Sequence, residues 1–152
     1  MNDCAIGPAT QADREAAERQ PDLPSRILVV DDDQAIRQLN TRVLLRSGYK
    51  VEAAADGAAA WRALNSGSYD LLLTDHEMPE VSGVELLRKL RAARMALPVI
   101  MATGAFPAAE FARNPGLNPS ATLLKPYTIE ELLETVKRVL HVAPLPAGSF
   151  RR

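Results

Sequence analysis

Five short runs of strand-forming residues recur along the chain, and they constrain its fold more than any other feature. Four of them are almost wholly apolar, at 27–30, 71–74, 98–102 and 121–124. A weaker run, 51–55, lies between the first two. Runs this short that are apolar throughout, rather than at every second residue, are typical of parallel strands buried on both faces.

The segments between these runs have the period of amphipathic helices. Apolar residues recur there every three or four positions, most clearly in the last segment at Ile129, Leu132, Leu133, Val136, Val139 and Leu140. Strands that alternate with helices at short spacing form βαβ units, whose crossovers are right-handed. The sequence therefore predicts an α/β fold, a doubly wound five-stranded parallel sheet with helices on both faces.

The fourth helix is the exception to this regularity. Pro107, Pro115, Gly116 and Pro119 surround or follow it, and proline interrupts helical hydrogen bonding. About two turns at most fit over 108–114. We therefore expect this helix to be short or irregular.

The regular pattern accounts for one domain. The chain has 152 residues, which is within the usual size of a single domain. We expect the folded domain to span 26–142. The proline-containing ends, 1–25 and 143–152, are expected to be flexible tails.

Composition excludes several classes of protein. The 18 Lys and Arg residues balance 19 Asp and Glu, so the bulk basic charge that nucleic-acid binding requires is absent. Cys4 is the only cysteine, which excludes an intramolecular disulfide and a multi-cysteine zinc site. No apolar run reaches the roughly 18 residues of a membrane span, and 1–10 lacks the features of a secretory signal. We expect a cytoplasmic protein without direct nucleic-acid contact or membrane insertion.

Polar and charged side chains follow four of the five strands. Because ligands bind at the carboxyl ends of the strands in such sheets, we expect these groups to meet at one edge. Clustered carboxylates repel one another unless a cation joins them, and oxygen ligands favour Mg²⁺. A carboxylate held against Mg²⁺ and opposite a lysine has the surroundings of a nucleophile toward a phosphoryl group. The residues concerned are Asp31, Asp32, Asp33, Asp75, Thr103 and Lys125.

Taken singly, each of these residues also has a structural interpretation. Asp33 is expected only to cap the helix that follows it. Asp75 could begin a turn, Thr103 could be a loop hydroxyl, and Lys125 could be a solvated edge charge. His76 is not expected to bind a metal, because no second histidine lies at ligand spacing. Compatible chemistry at four strand ends favours the functional interpretation of the set.

Four motifs carry a resemblance to a known family. Over residues 26–141 the sequence closely resembles the receiver domain of bacterial two-component response regulators. Asp32 and Asp75 are 43 positions apart, and Thr103 and Lys125 are 22 apart, as in that family. The motifs are ILVVDDD at 27–33, LTDHEMP at 73–79 with Gly83 following, MATG at 101–104 and LKPY at 124–127.

The resemblance implies a flavodoxin-like sheet of strand order 2-1-3-4-5, the order for which a chemotaxis receiver is a standard example. It implies that Asp75 accepts a phosphoryl group from a sensor histidine kinase or a histidine phosphotransfer protein. The implied cofactor is Mg²⁺. Its ligands would be Asp32, Asp75 and the backbone carbonyl of Glu77, with Asp31 acting through water.

The resemblance also assigns roles at the other strand ends. Thr103 would bind a phosphoryl oxygen once Asp75 is modified, and Lys125 would pair with the phosphate. The Lys125–Pro126 bond is typically cis in this family. Kinase docking is expected on the first helix, around Ile36 and Leu39, and on the loop after Lys125.

Two positions depart from the family pattern. Thr122 stands where an aromatic residue commonly turns inward on activation, and a threonine cannot report burial in the same way. Ser82 stands where Asp is common before Gly83. No DNA-binding or catalytic domain follows residue 142, so we expect a stand-alone receiver. It would catalyse only its own phosphorylation and dephosphorylation, and it would signal by binding a downstream protein that the sequence does not identify.

Two alternatives stay open at this point. Thr122 and the prolines of the fourth-helix segment are also compatible with a receiver-like scaffold that works without phosphorylation. Asp31 and Asp33 form a D-x-D that resembles the haloacid-dehalogenase-like phosphohydrolases, with Asp31 as nucleophile. Ala35, where that family has Thr or Val, argues against the phosphohydrolase.

Overall fold

The computed structural model describes residues 24–142, without the side chain of Val142. Its five strands are β1 (Arg26–Val30), β2 (Lys50–Ala54), β3 (Leu71–Asp75), β4 (Val99–Thr103) and β5 (Ala121–Leu124). Its five helices are α1 (Gln34–Arg46), α2 (Gly57–Ser66), α3 (Gly83–Ala92), α4 (Ala108–Arg113) and α5 (Ile129–Val142). The strands and helices alternate as the sequence predicted.

The five strands form one parallel sheet in the order β2-β1-β3-β4-β5. In its centre, Val30 lies opposite Thr74, and Thr74 lies opposite Met101. The carboxyl ends of β1, β3 and β4 therefore lie side by side at one edge of the sheet. This confirms the predicted flavodoxin-like topology.

Each face of the sheet has its own hydrophobic core, because successive side chains of a strand point to opposite faces. Leu28 and Leu72 pack on the face covered by α2, α3 and α4. Ile27 and Leu71, one position earlier in their strands, pack on the face covered by α1 and α5. Helices thus cover both faces, as expected, and the central strands are buried.

The α4 helix is short, as the prolines predicted. It has six residues, and no side chain caps its first turn, which begins after Pro107. Phe111 anchors it by burying its ring in the core. The exposed ring of Phe106 lies against that of Phe111, with the two ring centroids 5.1 Å apart.

The expected tails lie outside the described residues, apart from residues 24 and 25, and stay predictions. Within 24–142, no helix combines the length and the apolar character that a membrane crossing needs.

Gly83 allows α3 to begin directly against the end of β3. A Cβ atom at this position would lie 2.7 Å from the carbonyl oxygen of Asp75 and 2.8 Å from Cα of His76. Both are backbone atoms, so the clash cannot be relieved by rotating a side chain. The start of α3 and the end of β3 would have to move apart.

We expect Gly83→Ala to lower the free energy of unfolding by about 1–3 kcal/mol, the usual cost of overpacking. Urea denaturation followed by circular dichroism measures the change. Gly116→Ala is the matched control, because a Cβ atom there meets nothing within 4 Å. Equal stability of the two variants would contradict the proposed close packing at Gly83.

Candidate functional site

Three aspartates converge at the carboxyl edge of the sheet. Asp31 and Asp32 follow β1, and Asp75 is the last residue of the adjacent β3. A carboxylate oxygen from each lies within 4.8 Å of those of the other two. Asp31 and Asp75 are buried, whereas Asp32 is exposed. The cluster that the sequence predicted is therefore formed, and its exposed member leaves it open to solvent.

Lys125 joins this cluster from the end of β5. Its Nζ lies 2.8 Å from Oδ1 of Asp75 and 3.8 Å from Oδ2 of Asp31. The backbone N–H of Lys125 donates to the carbonyl oxygen of Thr103, at 2.8 Å, which ties the end of β5 to β4. The Lys125–Pro126 peptide bond is cis, as expected.

Burial dominates the electrostatics of the two inner carboxyls. It raises the pKa of Asp31, against the hydrogen bond from the backbone of Asp33 and the charge of Lys125. It also raises the pKa of Asp75, against the hydrogen bond from Lys125. For Lys125, burial acts to lower the pKa, but the hydrogen bond to Asp75 and the charges of both aspartates outweigh it and raise the pKa.

The donors present fit a hard divalent cation. Apart from the Lys125 ammonium, the buried Oδ1 of Asp75 has no hydrogen-bond partner in residues 24–142. Three carboxylates face one ammonium, so the cluster holds more negative charge than its own cation balances. Carboxylate oxygens are the ligands that Mg²⁺ prefers. Asp31, Asp32 and Asp75 are thus suited to hold such an ion.

Thr103 is buried at the end of β4, and its hydroxyl is already engaged. It donates to a carboxylate oxygen of Glu77, and it also lies 2.8 Å from the carbonyl oxygen of Ala105. The backbone N–H of Gly104 donates to the second Glu77 oxygen at 3.4 Å. Burial acts to raise the pKa of Glu77, but the hydrogen bonds from Thr103 and Gly104 outweigh it and lower the pKa.

The side chain of Glu77 was missed by the sequence interpretation, which used only its backbone carbonyl. An acid two positions after Asp75 is visible in the sequence. Its pairing with Thr103 depends on the distance between the β3–α3 and β4–α4 loops. No local sequence pattern predicts that distance.

His76 lies beside the cluster without belonging to it. Its Nδ1 accepts a hydrogen bond of 3.4 Å from the backbone N–H of Val84, which leaves Nε2 to carry the proton. Nε2 lies 3.5 Å from a carboxylate oxygen of Glu110 on α4. The histidine therefore connects the start of α3 with α4.

Asp33 serves as the cap that the sequence predicted. Its side chain accepts hydrogen bonds from the backbone N–H groups of Ala35, at 2.9 Å, and Ile36, at 3.2 Å. Its own backbone N–H donates to Oδ1 of Asp31 at 2.9 Å. The start of α1 thus holds one of the buried carboxylates in place.

The chain matches a known protein family over most of its length. A family model described as the response regulator receiver domain matches residues 27–137. Response regulator MprA of Mycolicibacterium vanbaalenii is 39% identical over 120 residues, which are 78% of this chain and 51% of that protein. MprA of Mycobacterium ulcerans is 40% identical over 117 residues, 76% of this chain and 50% of that protein. The chain spans about half the length of the curated relatives it matches.

Solved structures of response regulator proteins are also similar to this chain. A CheY-like receiver domain protein from Methanospirillum hungatei has a TM-score of 0.74 and 31% identity, covering 80% of this chain and 97% of that one. Response regulator TrrA of Thermotoga maritima, solved in complex with Mg²⁺ and BeF, has a TM-score of 0.66 and 32% identity. This match covers 76% of the present chain and 98% of TrrA.

Proposed function

Because the chain belongs to the response regulator receiver domain family of two-component systems, we propose that Asp75 is its phosphoacceptor. The phosphoryl donor is a phosphohistidine on a sensor histidine kinase or a histidine phosphotransfer protein. The reaction depends on Mg²⁺ held by Asp32 and Asp75 directly, with Asp31 acting through water and the backbone carbonyl of Glu77 as a further ligand.

One observation carries this proposal. The Asp75 carboxylate is held 2.8 Å from an ammonium and within 4.8 Å of two other carboxylates. The first contact orients an oxygen and offers a cation to a phosphoryl group, and the second supplies the oxygen ligands of a metal. Both requirements of phosphoryl transfer, positioning and charge neutralisation, are met at the same residue.

The transfer itself needs little from the protein beyond this arrangement. A carboxylate oxygen of Asp75 forms a bond to phosphorus while the phosphorus–nitrogen bond of the donor histidine breaks. The electron pair of that bond stays on the donor imidazole. Lys125 stabilises the phosphoryl oxygens, and bound Mg²⁺ supplies further neutralisation of their charge. The TrrA neighbour, solved with Mg²⁺ and BeF, supports this ligand chemistry for the fold.

Thr103 must exchange partners for the role that the resemblance assigns to it. Its hydroxyl proton is directed to Glu77 or Ala105, and a hydroxyl can donate only one hydrogen bond at a time. To bind a phosphoryl oxygen, it has to release these acceptors. Phosphorylation is therefore expected to free the Glu77 carboxylate and to loosen the contact between the β3–α3 and β4–α4 loops.

The direct test is the intact mass of the protein after incubation with acetyl phosphate and Mg²⁺. We expect the addition of one phosphoryl group and no addition when EDTA is present. A folded protein that gains no mass and also fails to bind beryllofluoride would contradict the proposal. That result would favour the phosphorylation-independent scaffold, which Thr122 on β5 already motivates.

Replacing Lys125 by alanine is expected to slow phosphoryl uptake by about tenfold or more. The variant loses the ammonium 2.8 Å from Asp75, and the loss of one group that stabilises developing charge costs enzymes comparable or larger factors. The rate of mass gain with acetyl phosphate measures the effect. Lys137→Ala, at an exposed position of α5, is the control and should react like the wild type. Uptake by Lys125→Ala at the wild-type rate would remove Lys125 from the site.

We propose that the receiver works in the cytoplasm and passes its signal through protein contacts. Leu39 on α1 exposes 47% of its surface and Ile129 on α5 exposes 48%. These side chains offer apolar area to a kinase near the predicted docking helix. The downstream partner is likewise expected to be a protein.

A further inference from the structure

A cavity lies at the opposite edge of the sheet from the aspartate cluster. It has a volume of about 630 Å³ and is lined by the end of α3, the turn into β4, the residue before β5, and α5. Volumes of this size are typical of sites for small molecules. Three arginines, Arg91, Arg94 and Arg138, line it together with an apolar wall that includes Met95 and Leu97.

No carboxylate in residues 24–142 forms an ion pair with these three arginines; the ion pairs among those residues join other groups. The cavity lining itself contains no acidic residue. Three like charges around one cavity repel one another. An anion placed among them would attract all three and so offset that repulsion.

Arg91 is the fixed member of the group. Its Nη1 donates to the carbonyl oxygens of Met95, at 3.2 Å, and Leu97, at 3.4 Å. The guanidinium is half-buried, and burial lowers its pKa with no acidic group opposing the change. A partly desolvated cation without a counter-ion is costly, and a bound anion would compensate that cost.

Arg94 occupies a backbone position that ordinarily takes glycine. Its φ is 59°, in the left-handed region, and it lies just after the end of α3, where helices commonly place glycine. An arginine here brings a cation to the cavity at the expense of backbone strain. The same position allows a test, because glycine removes the cation and relieves the strain together.

We propose that this cavity binds a small molecule that carries a phosphate group beside an apolar or aromatic part, as a nucleoside diphosphate does. The guanidiniums of Arg91, Arg94 and Arg138 hold the phosphate, and Ser120 adds a hydroxyl at the cavity wall. The wall at Met95 and Leu97 accepts the apolar part. Arginine suits this role because its planar fork matches phosphate oxygens.

The test measures the binding of ADP to the full chain by isothermal titration calorimetry in EDTA. Without a divalent metal, the aspartate cluster repels the phosphates and does not compete for ADP. We expect saturable binding that Arg94→Gly and Arg138→Ala each weaken about tenfold, with no loss of thermal stability in Arg94→Gly. Lys137→Ala, which removes a neighbouring cation of α5, should bind like the wild type.

ADP binding and phosphoryl uptake can fail independently of each other, because Asp75→Asn should bind ADP as the wild type does. Adenosine that binds as tightly as ADP would overturn the proposal, as would Arg94→Gly with wild-type affinity or a full chain that binds no ADP.

Discussion

The substitution Asp75→Asn is expected to abolish phosphoryl uptake from acetyl phosphate while the protein stays folded. The asparagine amide nitrogen is not nucleophilic and its oxygen carries no full charge, so no phosphoryl bond forms at this position. Uptake should fall below the detection limit of intact-mass measurement, a loss of more than a hundredfold. In EDTA, the variant should unfold at a temperature no lower than the wild type, because the substitution removes a buried negative charge from a cluster of three.

Asp33→Asn is the matched control for this experiment. Asp33 is close in sequence to the cluster, but it serves as a helix cap, a role that an asparagine side chain fills equally well. The control should take up one phosphoryl group at the wild-type rate. If Asp75→Asn still gains one phosphoryl group, the phosphoacceptor is another residue. If neither variant takes up a phosphoryl group, the loss reflects a general disturbance of this edge of the sheet and not the chemistry of Asp75.

Mg²⁺ is expected to raise the unfolding temperature of the wild-type protein, and EDTA is expected to reverse the increase. A ligand that binds only the folded state stabilises it by RT ln(1 + [L]/Kd), about 1.4 kcal/mol at ten times the dissociation constant. For a domain of this size, that corresponds to roughly 5 °C. Differential scanning fluorimetry at increasing Mg²⁺ concentration measures the shift.

The pH dependence of this effect has a definite sign. Burial raises the folded-state pKa of Asp31 and Asp75 above the ordinary value of 3.8. At these two carboxyls, the metal-free folded protein therefore binds protons more tightly than the unfolded chain does. Their contribution to its stability should decrease as pH rises from about 3.8 through the raised pKa values. Mg²⁺ offsets the repulsion between the ionised carboxylates. Its stabilising effect should therefore be larger at neutral pH than at pH 5.

Asp32→Asn should remove most of the Mg²⁺ effect, because it takes one charged oxygen ligand from the exposed side of the cluster. Asp33→Asn should retain it. An unfolding temperature that does not respond to millimolar Mg²⁺ in the wild type would count against the metal site. An equal response in Asp32→Asn would count against the ligand assignment.

Local patterns in the sequence were enough to predict the architecture. Three of the apolar runs become the buried strands β1, β3 and β4, because each has side chains on two covered faces, as Ile27 and Leu28 illustrate. Pro107 and the later prolines limit α4 to six residues because proline cannot continue a helical hydrogen-bond ladder. The Asp33 cap followed from its place between a strand and a helix. These features depend on neighbours in sequence, so local chemistry determines them.

The sequence by itself determined the fold class, the order of strands through its family resemblance, and the set of aspartates at one sheet edge. Only the tertiary structure decided which side chains touch. It paired the Thr103 hydroxyl with Glu77, connected His76 with Glu110 of α4, and brought Arg91, Arg94 and Arg138 to one cavity. Residues far apart in the chain meet in these contacts, and their distances depend on how the loops and helices pack. Periodicity predicts which face of an element is buried, but it does not predict which residue of a neighbouring element a side chain contacts.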